Sequence, residues 1–182
     1  MRLLLGNLIS LCAAFFLCAS SFSHDRRRVY LLLCGESLML AAAQAVFSKP
    51  IGVAVQLVAA GRNLLVARGR FGGREAALFS FLTLLFGLFA DPALFRGDAH
   101  MPYLILNILP VLAGIQLTLT SCFCRTLRGA RLGDLSNAVI WTVYSVYVRD
   151  LVTAVSGACI LPLNVCSFLG KRLKNRGKSP KS

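Results

Sequence analysis

The sequence predicts an all-α integral membrane protein in which seven transmembrane helices form two parallel three-helix repeats joined by a linker helix. Three observations lead to this fold class. First, 57% of the 182 residues are hydrophobic and the mean hydropathy is +0.70, whereas soluble domains are about 45–50% apolar. Second, the apolar residues fall in seven segments, with positive charge concentrated in every second connection. Third, the second half of the chain repeats the pattern of the first.

The seven apolar segments each predict one helix across the bilayer. They are Leu3–Phe22, Val29–Phe47, Ile51–Ala67, Ala76–Ala90, Met101–Phe123, Leu135–Val148 and Leu151–Gly170. A hydrocarbon core of about 30 Å needs about 20 helical residues, so the fourth and sixth segments are short. These two helices must therefore recruit flanking residues, tilt little or thin the bilayer locally.

The first segment has an alternative interpretation as a cleaved signal peptide, because Ala19-Ser20-Ser21 resembles a small-residue cleavage site. Three consecutive arginines, Arg26 to Arg28, follow the segment directly. Positive charge at that place favours keeping the flank in the cytoplasm, and a cleaved leader would not recur in mid-chain. We therefore interpret Leu3–Phe22 as a membrane span that enters from outside.

Basic residues set the expected orientation of all seven spans, since cytoplasmic connections carry an excess of Lys and Arg. The connections after the first, third, fifth and seventh segments hold fifteen basic residues, and the alternate connections hold four. This alternation predicts an outer N-terminus and a cytoplasmic C-terminus. It also accounts for the net charge of +13 without a nucleic-acid partner, and we expect the inner surface to attract anionic membrane lipid.

An internal repeat appears when the chain is shifted by about 100 residues. The matched stretches are Asn7-Leu-Ile-Ser-Leu with Asn107-Ile-Leu-Pro-Val, Phe47-Ser-Lys49 with Tyr147-Val-Arg149, and Ala54-Val55 with Ala154-Val155. The sequence therefore predicts a first three-helix repeat at 1–70, a linker helix and outer loop at 71–100, a second repeat at 101–172 and a basic cytoplasmic tail at 173–182. A linker helix is needed because units of three helices become parallel only after one additional crossing.

Two charged side chains, Glu36 and Arg62, are predicted to lie inside the membrane. Glu36 follows Arg28 by eight residues and Arg62 precedes Arg68 by six, so both lie at similar depths, about 12 Å or less from the inner surface. Because a lone charge at the membrane centre costs roughly 2.5–3.5 kcal/mol on insertion scales, we expect the two to form an ion pair or share a hydrogen-bond network. In the alternatives, Arg62 snorkels to the inner surface while Glu36 meets loop arginines, or the pair is purely structural.

The chain resembles the YgjV-like bacterial inner membrane protein family from about Asn7 to Arg172. The residues that carry this resemblance are the stretch FSHDRRR at 22–28, the arginine in RNLLVAR at 62–68, LPV at 109–111 and Trp141. The resemblance implies a multi-pass protein of the bacterial inner membrane, with a periplasmic N-terminus and a cytoplasmic C-terminus. It implies no particular activity, because members of the family have no assigned function.

The arrangement of three, one and three helices is similar to that of the SWEET and PQ-loop superfamily. This second resemblance implies passage of a small solute by alternating access, with Arg62 or Asn63, Asn164 and Trp141 lining the path. The chain departs from the pattern in three respects. Ala41 occupies the second-helix place that corresponds to Trp141, no Pro-Gln pair is present, and the second and sixth segments lack proline.

The candidate intramembrane polar site combines these observations. It comprises Glu36, Arg62, Asn137, Trp141 and Asn164, with Asn63, Asn107, Gln56 and Gln44 as weaker candidates. Asn137 and Asn164 lie at the depths in the second repeat that match Glu36 and Arg62. We expect the seven cysteines to act as small apolar residues, and we expect neither a metal nor a cofactor.

Three function classes remain after this survey of the sequence. A transporter of a small polar solute is favoured, a non-transporting membrane adaptor or lipid-binding protein is the alternative, and an intramembrane enzyme is a distant third. A homo-oligomer is compatible with the first two. An enzyme is not expected, because the sequence lacks HExxH, GxSxG and phosphate-loop motifs. A polar cavity between the repeats would favour transport, whereas tight apolar packing there would favour the adaptor.

Overall fold

The structure, a computed structural model, describes residues 1–23, 25–90, 101–123 and 127–159. The described residues form seven helices and no strand. The helices are α1 Arg2–Phe22, α2 Arg26–Val46, α3 Pro50–Ala67, α4 Gly73–Phe89, α5 Met101–Phe123, α6 Leu127–Val148 and α7, residues 151–159. The prediction of an all-helical chain is confirmed. The predicted Asn164 and the basic tail at 173–182 lie outside the described residues.

Several helices have the length and composition of membrane spans. Within the described part of the chain, four stretches are long and apolar enough to cross a bilayer, namely α1, α2, α3 and Ile105–Phe123 of α5. Large apolar side chains such as Leu4, Phe15, Phe81 and Val146 point outward, as they do where lipid rather than water surrounds a helix bundle. The chain is therefore a helical membrane protein, and the seven-span topology remains a prediction.

The two short predicted spans extend into flanking polar residues. α4 begins at Gly73 instead of Ala76, and α6 begins at Leu127 instead of Leu135. With 22 residues, α6 is about 33 Å long and matches the thickness of a hydrocarbon core. Arg128 and Arg131, predicted to lie in an inner connection, belong to the first turns of α6 instead. Hydropathy alone missed these turns because arginine is polar. Arginine is nevertheless a good helix former, so the helix can include it.

A carboxylate marks the start of α4. The Glu75 side chain accepts a 2.9 Å hydrogen bond from the backbone N–H of Gly72. Hydrogen bonds from its own backbone N–H and from that of Gly72 lower the pKa of the Glu75 carboxyl. The carboxylate therefore stays charged at neutral pH and satisfies a donor that the helix itself leaves without a partner.

Packing contacts show that neighbouring helices run in opposite directions. α2 packs against both α1 and α3, and α4 packs against both α3 and α5. Gly61 near the end of α3 faces Phe79 of α4, and Gly87 near the end of α4 faces Val111 of α5. α3 and α5 are parallel, because Val55 packs on Val111 and, seven residues further along both helices, Arg62 bonds to Thr118. The units α1–α3 and α5–α7 therefore have the same direction, with α4 between them.

Two turns of the same type join α2 to α3 and α6 to α7. Ser48 and Arg149 both adopt positive φ angles, of 58° and 63°. The amides of Ser48 and Lys49 donate to the carbonyls of Ala45 and Gln44, and those of Arg149 and Asp150 donate to Val146 and Ser145. Both sets form the Schellman pattern, in which a left-handed residue ends a helix. Ser48 and Arg149 are 101 residues apart, one more than the offset that pairs Phe47-Ser-Lys49 with Tyr147-Val-Arg149.

Candidate functional site

A cavity of about 120 Å³ lies between the two three-helix units. Side chains from α1, α2, α3, α5, α6 and α7 form its walls. Six of the nine residues predicted for the polar site line it, namely Glu36, Gln56, Arg62, Asn63, Asn137 and Trp141. The structure therefore brings most of the predicted residues into one space, although they come from three helices.

The other three predicted residues do not line the cavity in the described structure. Gln44 is fully buried near the α2–α3 turn, and Asn107 is buried within α5. Neither belongs to the residues that border the cavity. Asn164 lies outside the described residues.

Arg62 is a buried cation held by neutral oxygens. Its side chain is 1% exposed. Its Nε and Nη2 atoms donate to Asn63 Oδ1 at 3.2 and 2.9 Å, and its Nη1 atom donates to Thr118 Oγ1 at 3.2 Å. Thr118 lies on α5, so the guanidinium links the first unit to the second. The alternative in which Arg62 snorkels to the surface does not fit this burial.

A chain of hydrogen bonds continues from Arg62 towards Glu36. Asn63 Nδ2 donates to Ser37 Oγ at 3.4 Å, and Ser37 Oγ donates to the carbonyl of Leu33 at 2.9 Å. Ser37 directly follows Glu36 in α2. Both charged residues border the same cavity, and a direct Glu36–Arg62 ion pair remains a prediction.

α6 contributes an amide and an aromatic ring to the opposite wall. Within the described part of the chain, no group donates a hydrogen bond to Asn137 Oδ1, although this atom is buried. Trp141 packs edge-on against Tyr144, with ring centroids 5.5 Å apart. A buried oxygen without a protein partner carries a desolvation cost, so Asn137 presents an acceptor that a molecule in the cavity can satisfy.

The cavity extends to the end of the bundle where α1 finishes and α2 starts. Ser21, Arg26 and Tyr30 line it there, and the Arg26 guanidinium lies 5.8 Å from the centroid of the Tyr30 ring. We call this end the basic end, because its exposed residues include Arg26, Arg27, Arg28, Arg68 and Arg70. It is the end that the charge distribution predicts to be cytoplasmic.

The opposite end, called the turn end after the turns at Ser48 and Arg149, is closed by buried polar contacts. The Ser10 hydroxyl donates to Asp150 Oδ2 at 2.8 Å, and the Tyr144 hydroxyl donates to Gln44 Oε1 at 3.5 Å. All four side chains have an exposed fraction of 0%. Each contact joins one three-helix unit to the other, so both must separate if the cavity is to open at this end.

Further contacts at the turn end hold the start of α7. Asn7 Oδ1 accepts a 3.1 Å hydrogen bond from the backbone N–H of Val152, and Asp150 Oδ1 accepts one of 3.1 Å from that of Thr153. Both acceptors satisfy amides that the first turn of a helix leaves without partners. The α1–α7 seam is therefore polar, whereas the α3–α5 seam is the apolar cluster of Ile51, Val55 and Val111.

Four of these residues, Ser10, Ser37, Thr118 and Asp150, were not predicted as part of the site. Only Asp150 carries a usable sequence signal, since an aspartate directly before an apolar helix, with Thr153 three residues later, is a typical N-terminal cap. Serine and threonine in apolar helices commonly bond to their own backbone. For that reason nothing in the sequence distinguishes Ser10, Ser37 and Thr118 from other hydroxyls.

The described residues offer little to metal or thiol chemistry. No group of three or more His, Cys, Asp or Glu side chains converges within them. Cys12, Cys18, Cys34, Cys122 and Cys159 are free thiols.

Comparison with known proteins adds no relative. No protein-family model matches the chain, and neither the curated proteins nor the solved structures include a match. The resemblances to the YgjV-like family and to the SWEET and PQ-loop superfamily therefore stay predictions.

Proposed function

We propose that the protein carries a small polar solute across the bacterial inner membrane by alternating access, through the cavity between its two three-helix units. One observation supports this proposal above the others. A single cavity is bordered by polar residues of α2, α3 and α6 that the sequence predicts to lie inside the membrane. Glu36, Arg62 and Asn137 are among them. An adaptor would have no need of a polar cavity, because buried polar groups cost free energy unless they are satisfied.

Contacts between the units support an approximate two-fold relationship. The matched turns pair Gln44 with Ser145, and the neighbour of Ser145, Tyr144, is in contact with Gln44, so this contact joins nearly equivalent positions. Equivalent positions that touch lie close to a symmetry axis. The start of α7 packs on α1 through Asn7, and the start of α3 packs on α5 through Val111. If α1 is equivalent to α5 and α3 to α7, a two-fold axis would convert one of these contacts into the other.

Such a relationship suits alternating access, in which two parallel repeats rock around a central site. In the described structure the cavity reaches the basic end, and hydrogen bonds close the turn end. The positive-inside rule predicts that the basic end faces the cytoplasm. We therefore assign this conformation to a state open to the cytoplasm, from which the turn end opens when the Ser10–Asp150 and Gln44–Tyr144 contacts part.

Transport can be tested with the purified full-length protein in liposomes. The vesicles are given a mixture of isotopically labelled amino acids, organic acids, sugars and amines, and mass spectrometry of the lumen identifies what has entered. Protein-free liposomes provide the background. We expect at least one solute to accumulate faster with the protein, and a wild type that carries none of them would contradict transport and favour the adaptor.

A matched pair of variants on α6 connects the flux with the cavity. Ala138 borders the cavity, whereas the side chain of its neighbour Val139 is 48% exposed on the outer surface of the bundle. Ala138→Trp should fill the cavity and abolish the flux, while Val139→Trp adds the same ring towards lipid and should leave it. Equal fluxes in the two variants would show that the solute does not pass through this cavity.

A further inference from the structure

The cavity is lined by charges of both signs. Among the described residues that border its interior, Glu36 supplies a carboxylate and Arg62 a guanidinium, and Arg26 lies at the mouth on the exposed basic end. Arg62 is 1% exposed and its position is set by Asn63 and Thr118. A guanidinium and a carboxylate in the wall of one cavity give it a positive and a negative region.

The negative region suits a group that donates hydrogen bonds and carries positive charge. An ionised carboxylate such as that of Glu36 can only accept. Asn137 Oδ1 is a buried acceptor with no donor among the described residues, and it corresponds to Glu36 in the second unit. The Trp141 ring also borders the cavity, and aromatic rings attract ammonium groups within about 6 Å of the centroid. An ammonium group is the kind of ligand that suits each of these three side chains.

The positive region suits a carboxylate. A guanidinium presents planar donors that match the two oxygens of a carboxylate, and the neighbouring Asn63 and Gln56 add amide donors in the same wall. A solute with a negative charge alone would meet Glu36 without compensation. A solute with a positive charge alone would meet Arg62, and in a medium of low dielectric constant either encounter is unfavourable.

We propose that the transported solute is a small zwitterion that carries both an ammonium and a carboxylate group, with dimensions similar to those of the smallest amino acids. This inference rests on the proposed transport function. The cavity volume of about 120 Å³ is several times what a single water molecule needs, so it has room for a small solute. A zwitterion also lets Glu36 and Arg62 exchange one counter-charge for another, so that neither ion is left buried without compensation.

Four probes of one carbon skeleton test the charge class. L-alanine is the zwitterion, lactate the anion, 2-aminopropan-1-ol the cation and lactamide the neutral member. Uptake of each labelled probe is measured in proteoliposomes of the full-length protein at pH 7, with protein-free liposomes subtracted. We expect the rate for alanine to exceed that for each other probe at least tenfold. If lactate, aminopropanol or lactamide enters as fast as alanine, the zwitterion inference is overturned while transport stands.

Charge-removing variants test the two regions separately. Glu36→Gln should lower the ratio of alanine to lactate uptake at least tenfold, and Arg62→Gln should lower the ratio of alanine to aminopropanol uptake by a similar factor. A loss of folded protein lowers the uptake of both probes by the same factor, so it does not change these ratios. Glu75→Gln and Arg68→Gln remove the same charges outside the cavity and should leave both ratios unchanged.

The outcomes separate the two proposals. Unchanged ratios in both cavity variants would overturn the recognition of the two charges, even if alanine is transported. Uptake of other solutes from the labelled mixture, with none of the four probes carried, would also overturn the zwitterion while leaving transport intact. Absence of uptake for the mixture and for all four probes would overturn both.

Discussion

The hydroxyl of Ser10 donates a 2.8 Å hydrogen bond to the carboxylate of Asp150, and both side chains are fully buried. Ser10 lies in α1 and Asp150 caps α7, so this bond joins the two three-helix units at the turn end. Hydrogen bonds to charged groups contribute about 1.5–3 kcal/mol. We interpret the contact as a latch that keeps the turn end closed in the conformation described here.

Replacing Ser10 should weaken this latch. Ser10→Ala removes one of the two hydroxyl donors to Asp150 Oδ2 and leaves only that of Thr153. Because the lost hydrogen bond goes to a buried carboxylate, we expect a loss of about 2 kcal/mol in the free energy of unfolding. Ser20→Ala is the matched control, since Ser20 is also buried in α1 but bonds only to the Leu17 carbonyl of its own helix. Thermal unfolding in detergent compares the two variants. Equal melting temperatures would show that the Asp150 contact adds no stability.

The predicted coupling between Glu36 and Arg62 can be measured with a double-mutant cycle. Glu36→Gln or Arg62→Met alone leaves one charge in the cavity without its counter-charge, whereas the double variant removes both. We therefore expect the double variant to be more stable than either single variant. Unfolding in detergent gives the three free energies. The pairing idea fails if the double variant is the least stable of the three.

Close packing of α5 on α6 depends on a glycine. A Cβ atom at Gly133 would overlap with Thr120 Cγ2, and the Gly133 carbonyl also accepts a 3.3 Å hydrogen bond from Gln116 Nε2. Gly133→Ala should force the helices apart and cost about 1–3 kcal/mol. Gly73→Ala is the control, because nothing lies within 4 Å of a Cβ there. Equal unfolding temperatures for the two variants would contradict the packing described.

The predicted seven crossings, an odd number, would put the two ends of the chain on opposite sides of the membrane. A reporter that is active only in the cytoplasm should be active when fused to the C-terminus and inactive when fused to the N-terminus. A reporter specific for the periplasm should give the opposite result. Finding both ends in one compartment would contradict the predicted parallel arrangement of the two units in the membrane, because that arrangement requires an odd number of spans.

Most of the helical architecture could be predicted from hydropathy. The predicted and observed bounds of α1, α2 and α5 agree within a few residues, because nearly every side chain in those segments is apolar. The start of α6 could not be found in this way, since its first two turns contain Arg128, Arg131 and Asp134. Charged residues at the end of a transmembrane helix extend it without contributing to an apolar pattern.

The candidate site was predictable in its charged and amide members and not in its hydroxyl contacts. Glu36 and Arg62 stand out because charge is expensive inside a membrane. The contact between Arg62 and Thr118 depends on which face of α5 turns towards α3, and a single sequence does not reveal that face. The Ser10–Asp150 contact likewise joins residues far apart in the chain, and only the packing of α1 on α7 brings them together.

The central claim is that one cavity between the two units becomes accessible from both sides of the membrane. Asn137→Cys, in a background where all seven native cysteines are replaced, places one thiol in the cavity wall, and Val139→Cys serves as the lipid-facing control. A membrane-impermeant thiol reagent is added to one side of right-side-out or inside-out vesicles, and the labelled fraction is measured. The account predicts that the cysteine at position 137 is labelled from either side and the one at 139 from neither. Labelling at 137 from only one side, with or without solute, would contradict alternating access.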